Sequence, residues 1–218
     1  MNEIRVVIAD DDPLVRVALS HFVSRDPEIV VVGEASDGAE ALKAIEEHHP
    51  DIVMMDVQMP GMGGIEATEQ ISERFPDVRV LAVTTLDTRE TVLPMLSAGA
   101  TGYMLKDSSA EEILNALRQA HDGTSSLSPR IAAMLVRHVR SSSTGTPSSS
   151  DLAPLTGREN EVLGLLARGM SNAEMADTLL VSEGTIKAHL GSIISKWHLR
   201  DRVQVLVAAA RAGLVHFD

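Results

Sequence analysis

Short aliphatic runs alternate with amphipathic stretches along the first 122 residues. The runs at 4–9, 29–35, 51–56, 78–84 and 102–106 are rich in Val, Ile and Leu and predict five strands. The stretches between them have helical spacing, although Pro94 falls inside the fourth. Five consecutive strand–helix units predict an α/β domain, in which a doubly wound, five-stranded parallel sheet is covered by helices on both faces.

A change of composition separates this domain from the rest of the chain. Residues 129–140 predict a linker helix, and residues 141–154 are rich in Ser, Thr, Pro and Gly, which is typical of a flexible linker. We therefore predict a first domain at 1–122, a linker at 123–154 and a second domain at 155–218.

The second domain has apolar spacing typical of helices throughout and is predicted to be all-α. Thr156 is placed to cap its first helix and Gly169 to end it. Further along, a short helix is followed by a tight turn, in which Ser182 can cap a longer helix at 183–197. Two helices joined by a short turn, with the basic Lys187 near the start of the second, predict a helix-turn-helix.

Composition excludes several classes of protein. The absence of Cys excludes disulfides and thiolate chemistry, and no apolar run approaches the length of a membrane span, so we expect a cytoplasmic protein with no membrane association. The net charge of −12 argues against nucleic acid, but it is unevenly distributed. Between residues 184 and 211 there are five Lys and Arg against the single acid Asp201, which favours nucleic acid as a partner of the second domain.

Charged and hydroxyl side chains follow four of the five predicted strands. The first strand is followed by Asp10-Asp11-Asp12, the third ends at Asp56, the fourth ends at Thr84 and the fifth at Lys106. Ligands of open parallel sheets bind beyond the carboxyl ends of the strands, so we expect these groups to meet.

The chemistry of this set points to phosphorus. Clustered carboxylates repel one another unless a cation joins them, and oxygen ligands suit Mg²⁺. An Asp beside Mg²⁺ and Lys, followed by a glycine-rich loop, can attack a phosphorus centre and form an aspartyl-phosphate. The alternative is that Asp10 to Asp12 only cap the first helix before Pro13 and that Asp56 only begins a turn.

Four short motifs occur in a fixed order: "ADDDPLVR", "MMDVQMPGMGG", "AVTTLDT" and "GYMLKD". With them, residues 4–122 resemble the receiver domain of two-component response regulators. The resemblance implies that Asp56 accepts a phosphoryl group from a sensor histidine kinase. It also implies Mg²⁺ as cofactor, held by Asp10, Asp11, Asp56 and the backbone carbonyl of Gln58.

The same resemblance assigns the remaining residues of the pocket. Thr84 would donate a hydrogen bond to the phosphoryl group, and Lys106 would neutralise it. Tyr103 would turn inward as Thr84 moves, although a lone Tyr near the start of a strand is more often a packing residue. Asp12 departs from the usual pattern by adding a negative charge near the pocket, but no reacting group is missing.

Residues 155–214 resemble the DNA-binding domain of the LuxR/NarL (FixJ) family of response regulators. The resemblance implies that the helix at 183–197 enters the major groove. Lys187 would reach a phosphate or a base edge, with Thr185, Ala188 and His189 on or beside the same face. Further contacts to the DNA backbone would come from Ser182, Asn172 and Lys196. The last helix would supply a dimer surface from Val203, Leu206 and Ala209.

Together these features predict a transcription factor that is controlled by phosphorylation and is not an enzyme. Its expected partners are a histidine kinase, double-stranded promoter DNA, a second copy of the chain and, as a further candidate, RNA polymerase. One alternative is a phosphohydrolase with Asp56 as covalent nucleophile, although Gln58 stands where such enzymes of the haloacid-dehalogenase group have a second acid. Two others are a DNA-binding or scaffold protein that does not need phosphorylation, and a second domain that binds protein instead of DNA.

Overall fold

The structure is a computed structural model that describes residues 3–85, 89–123 and 152–215. The chain divides into two compact units, Met1–Ser125 and Ser126–Asp218. The predicted linker helix at 129–140 and linker residues 141–151 lie outside the described residues.

The first unit contains the five predicted strands. They are β1 (Ile4–Ala9), β2 (Ile29–Ala35), β3 (Ile52–Asp56), β4 (Arg79–Thr84) and β5 (Gly102–Leu105). All neighbouring pairs are parallel, and the order is β2-β1-β3-β4-β5. This order, in which the chain winds outward from β1 in both directions, confirms the doubly wound α/β domain.

Helices cover both faces of the sheet. They are α1 (Pro13–Val23), α2 (Gly38–His48), α3 (Gly64–Arg74), α4 (Arg89–Ala98) and α5 (Ala110–His121). Helices α1 and α5 pack against each other, as do α2 with α3 and α3 with α4. Side chains of β1, β3 and β4 form an aliphatic core with α1 and α5. Helix α4 continues through Pro94.

The strand register places the predicted polar residues along one edge. Ala9, which precedes Asp10, pairs with Met55; Asp56 pairs with Val83; and Thr84 pairs with Leu105. The carboxyl ends of β1, β3, β4 and β5 are therefore level, and the residues that follow them come together.

The second unit contains four described helices. They are α6 (Gly157–Ala167), α7 (Asn172–Leu179), α8 (Glu183–Trp197) and α9 (Arg202–Arg211). Helices α7 and α8 pack together as a helix-turn-helix, and α6 and α9 both pack against α8. Among the described residues, no helix combines the length and apolar character that crossing a bilayer requires.

The predicted caps are present at the helix starts. The side chain of Thr156 accepts a hydrogen bond from the amide of Glu159, and Ser182 accepts one from the amide of Thr185. The turn between α7 and α8 passes through Leu180, whose φ of 54° is left-handed. A left-handed residue after a helix turns the chain within a short distance, and α8 packs against α7.

Candidate functional site

Three carboxylates meet at the carboxyl edge of the sheet. Oxygen atoms of Asp10, Asp11 and Asp56 all lie within 4.8 Å of one another. Asp10 and Asp56 are buried, at 1% and 5% exposed, whereas Asp11 is exposed. A set of hard oxygen donors this close together, open to solvent on the side of Asp11, fits a small divalent cation such as Mg²⁺.

Lys106 joins the two buried carboxylates. Its Nζ lies 2.6 Å from Asp10 Oδ2 and 3.1 Å from Asp56 Oδ2. Its backbone N–H donates to the carbonyl of Thr84 at 2.7 Å, so the end of β4 fixes the point from which the side chain extends. The Lys106 ammonium therefore contacts both buried carboxylates.

Burial and charge act together on these groups. Burial has the largest effect on Asp56 and raises the pKa of its carboxyl, while Lys106 opposes the shift. Burial lowers the pKa of the Lys106 ammonium, but the hydrogen bond to Asp10 and the charge of Asp56 outweigh it, so that pKa is raised. Lys106 therefore keeps its positive charge beside the two buried acids.

The other predicted pocket residues lie at the same edge or close to it. Thr84 is buried at the end of β4, 3% exposed. Tyr103 is half-buried in β5 and pairs with Ala82. Gln58 is exposed, two residues after Asp56 in the loop that leads to α3.

Asp12 has a different role from its two neighbours. Its side chain accepts a hydrogen bond from the amide of Leu14 at 2.8 Å and caps α1. Its own amide donates to Asp10 Oδ1 at 3.0 Å. The helix-capping alternative is therefore correct for Asp12, while Asp10 and Asp11 face the acid cluster.

The second unit presents the first turns of α8 to solvent. Ser182, Lys187 and Ala188 are exposed, and Thr185 and His189 are half-buried beside them. In a helix-turn-helix, residues near the start of the second helix contact base edges in the major groove.

Comparison with known proteins decides the family. Residues 6–118 match the response regulator receiver domain, and residues 153–209 match the luxR family of bacterial regulatory proteins. The chain belongs to the two-component response regulators. It combines a receiver domain with a LuxR-type DNA-binding domain, as the sequence motifs predicted.

Similar proteins share this whole architecture. The regulator is 38% identical over 98% of each chain to the uncharacterised transcriptional regulatory protein YxjL of Bacillus subtilis (strain 168). It is 39% identical to the transcriptional regulatory protein LiaR of the same strain, over 98% of this chain and 100% of LiaR. A crystal structure of the response regulator ChrA, of a heme-sensing two-component system, is 34% identical with a TM-score of 0.53 and covers 98% of this chain and 100% of its own.

Two residues predicted to contact DNA are engaged inside the second domain of the regulator. Asn172 is buried, and its Oδ1 accepts a hydrogen bond from Arg202 at 3.2 Å. Lys196 is 33% exposed and pairs with the buried Glu159, with Nζ 2.6 Å from Oε2. We correct the prediction for Asn172, whose side chain is not available to DNA in this structure, and assign Lys196 first to an ion pair between α6 and α8.

The predicted dimer surface on the last helix is wrong for this structure. Val203, Leu206 and Ala209 are at most 1% exposed. Helix α9 is apolar around most of its circumference, and seven of its ten residues are buried, including these three. The sequence pattern identified an apolar face but not the fact that it is covered.

Sequence reasoning missed two features of the receiver pocket. One is Gly64: a Cβ there would lie 1.9 Å from the carbonyl oxygen of Asp56, so any other residue would force the backbone to shift. The other is Arg16, whose Nη1 donates to the carbonyl of Asp10 at 2.6 Å. Both residues lie inside the quoted motifs, but the residue type alone does not show that Arg16 bonds a carbonyl or that Gly64 lies against one.

Proposed function

We propose that a sensor histidine kinase phosphorylates the regulator on Asp56 and that this controls how its helix-turn-helix binds promoter DNA. The observation that carries the proposal is the position of Asp56: it is nearly buried, shares a site with two further carboxylates and lies 3.1 Å from a lysine. Three carboxylates gathered at a partly buried site are costly to desolvate and repel one another, and such clusters are typical of functional sites.

In the proposed step an Asp56 oxygen attacks the phosphorus of the donor. A P–O bond to Asp56 forms, the bond between phosphorus and the donor atom breaks, and the electron pair leaves with the donor. Lys106 is positioned to neutralise the new negative charge, because its Nζ already lies within hydrogen-bond distance of Asp56. Thr84 would donate its hydroxyl to a phosphoryl oxygen.

Asp10, Asp11 and Asp56 would hold Mg²⁺, together with the carbonyl of Gln58. When bound, the cation offsets the repulsion between the acids and the phosphoryl oxygens. The chain's own contribution is to hold the acids and Lys106 at one edge of a rigid sheet, so that the acceptor does not need to move.

Phosphorylation would add about −1.5 to −2 charges at Asp56. Thr84 and Lys106 would be drawn to this charge, and the receiver would shift toward the conformation that interacts best with it. We expect that conformation to favour homodimers that bind paired half-sites on DNA through α8, with Lys187 as the main contact. RNA polymerase is a further proposed partner. Because the regulator would act on promoter DNA, we propose that it is cytoplasmic.

The first test is the intact mass of the full chain after incubation with Mg²⁺ and a small phosphodonor such as acetyl phosphate. Wild type should gain one phosphoryl group and Asp56→Ala none. Asp77→Ala removes an exposed acid far from the cluster and should behave as wild type.

Two outcomes would contradict the proposal. If wild type gains nothing from either the phosphodonor or a phosphorylated kinase, Asp56 is not an acceptor. If wild type instead turns over a phosphomonoester at many equivalents per chain, the phosphohydrolase alternative is correct.

A further inference from the structure

Arg16 connects two strands beside the acid cluster. It lies at the end of the first turn of α1, and its side chain is 18% exposed. Its Nη1 donates to the backbone carbonyl of Asp10 at 2.6 Å, and its Nε donates to Glu34 Oε2 at 3.2 Å. Within the described residues the hydrogen bonds of its side chain go to this carbonyl and to Glu34, so the guanidinium is not a partner of the carboxylates in the cluster.

The carbonyl that Arg16 holds belongs to the peptide between Asp10 and Asp11. The amide of Asp10 donates to the carbonyl of Ala35 at 3.0 Å, which fixes the peptide before Asp10 to the end of β2. Arg16 fixes the peptide after it. The orientation of that second peptide sets the direction in which Asp11 leaves the strand.

Asp11 is the member of the cluster that depends most on such support. Asp10 and Asp56 are buried and share Lys106, whereas Asp11 is exposed. Its place within 4.8 Å of the other two therefore depends on the backbone from which it extends.

We infer that Arg16 is a positioning residue of the acid cluster, which sets the orientation of Asp11 through the Asp10 carbonyl and so tunes divalent-cation affinity and the rate of phosphoryl acceptance. The inference rests on the proposed function. Glu34 supports this contact, because it accepts a hydrogen bond from Nε while the Asp10 carbonyl accepts one from Nη1. Lysine cannot replace Arg16 fully, since one ammonium does not reproduce the planar fork that makes both bonds.

Positioning and simple charge predict opposite results. If Arg16 acted only as a positive charge near three acids, its neutral replacement would strengthen Mg²⁺ binding. If Arg16 positions Asp11, the same replacement weakens Mg²⁺ binding. The sign of the change therefore separates the two roles.

The experiment titrates Mg²⁺ into the full chain by isothermal titration calorimetry. Loss of a residue that orients a metal ligand from outside the ligand set typically lowers affinity by about 10-fold or more, so we expect a rise in Kd of about this size for Arg16→Met. Arg16→Lys and Glu34→Gln should give smaller rises. Arg25→Met is the matched control: it removes the same charge just beyond the end of α1, where Arg25 lies over the Phe22 ring, and should leave the Kd within about twofold.

A second readout follows the rate of phosphoryl gain at saturating Mg²⁺, where Arg16→Met should remain slower than wild type. Thermal unfolding of each variant without Mg²⁺ identifies any that fail to fold. If Arg16→Met does not fold, the comparison is made with Arg16→Lys. Suppose that wild type binds Mg²⁺ and gains a phosphoryl group. Unchanged or tighter Mg²⁺ binding by both Arg16→Met and Arg16→Lys would then overturn the inference. Absence of both properties in wild type would overturn the proposed function, and the inference with it.

Discussion

At the scale of single residues, two adjacent glycines after Asp56 have different constraints. A Cβ on Gly64 would lie 1.9 Å from the Asp56 carbonyl oxygen, whereas a Cβ on Gly63 would meet nothing closer than the Val57 carbonyl oxygen at 3.8 Å. Gly64 also donates its amide to that Val57 carbonyl at 3.1 Å. The close approach at Gly64 starts α3 directly beside the acceptor.

Gly64→Ala should therefore move the backbone that carries Asp56. We expect a loss of roughly 1–3 kcal/mol in the free energy of unfolding, as for other overpacked sites, and a slower gain of the phosphoryl group. Gly63→Ala is the matched control and should change the free energy of unfolding by less than about 0.5 kcal/mol. Urea unfolding and intact-mass time courses measure both, and equal behaviour of the two variants would show that the loop adapts freely.

At the scale of elements, buried polar contacts fix the recognition helix α8 to its neighbours. Glu159 of α6 is 3% exposed and accepts hydrogen bonds from Lys196 and from Ser192, the latter at 2.7 Å. The indole of Trp197 donates to the carbonyl of Ala153 at 2.9 Å, which ties the residues before α6 to the end of α8. These contacts therefore hold α8 in a fixed orientation relative to α6.

The Glu159 network predicts a specific dependence of stability on pH. The hydrogen bond from Lys196, followed by those from Ser192 and the Thr156 amide, lowers the pKa of Glu159 to about 2. Because the folded pKa lies below the ordinary 4.5, this stabilisation is present above pH 4.5 and is lost as the pH falls from there toward 2.

Glu159→Gln should remove that component of the pH dependence and leave Lys196 without its counter-ion. We expect a cost of roughly 1–3 kcal/mol at pH 7, shrinking as the pH falls below 4.5. Glu161→Gln, which alters an exposed pair with Arg158, should cost less than about 1 kcal/mol. Fluorescence of Trp197, the single Trp and buried in α8, reports urea unfolding at each pH. A cost for Glu159→Gln that did not change with pH would contradict the role of the charge.

At the scale of the whole molecule, the two units differ in net charge and contain different candidate sites. The net charge of −12 comes almost entirely from residues before 141, while residues 151–218 contain seven basic and eight acidic residues. The acidic unit contains the candidate acceptor, and the nearly neutral unit contains the helix-turn-helix with the exposed Lys187.

If the two units are coupled, phosphorylation should change DNA affinity. Typical coupling free energies correspond to about 5- to 150-fold, so phosphodonor treatment of wild type should tighten binding to a DNA fragment selected from a random library by a factor in this range. Asp56→Ala should show no change with the phosphodonor.

Lys187→Ala should weaken binding in both states and reduce the slope of log affinity against log salt by about 1 if it contacts a phosphate. Fluorescence anisotropy measures these affinities, and equal affinity of treated wild type and Asp56→Ala would favour the DNA binder that does not need phosphorylation.

The sequence by itself determined the elements, their order and the composition of the acid cluster. Aliphatic runs and caps such as Thr156 and Ser182 act locally, so they can be identified without the fold. Asp10, Asp56, Thr84 and Lys106 could be placed together because the carboxyl ends of parallel strands share one edge.

Only the tertiary structure decided which side of each helix is covered and which backbone groups meet side chains. Helical spacing shows an apolar stripe but not its partner, so the burial of Val203, Leu206 and Ala209 could not be foreseen, and neither could the internal contacts of Asn172 and Lys196. Arg16 and Gly64 contact carbonyl oxygens, which every residue has and no sequence pattern distinguishes. The sequence therefore specified which chemical groups the site contains, and the fold specified how they are held.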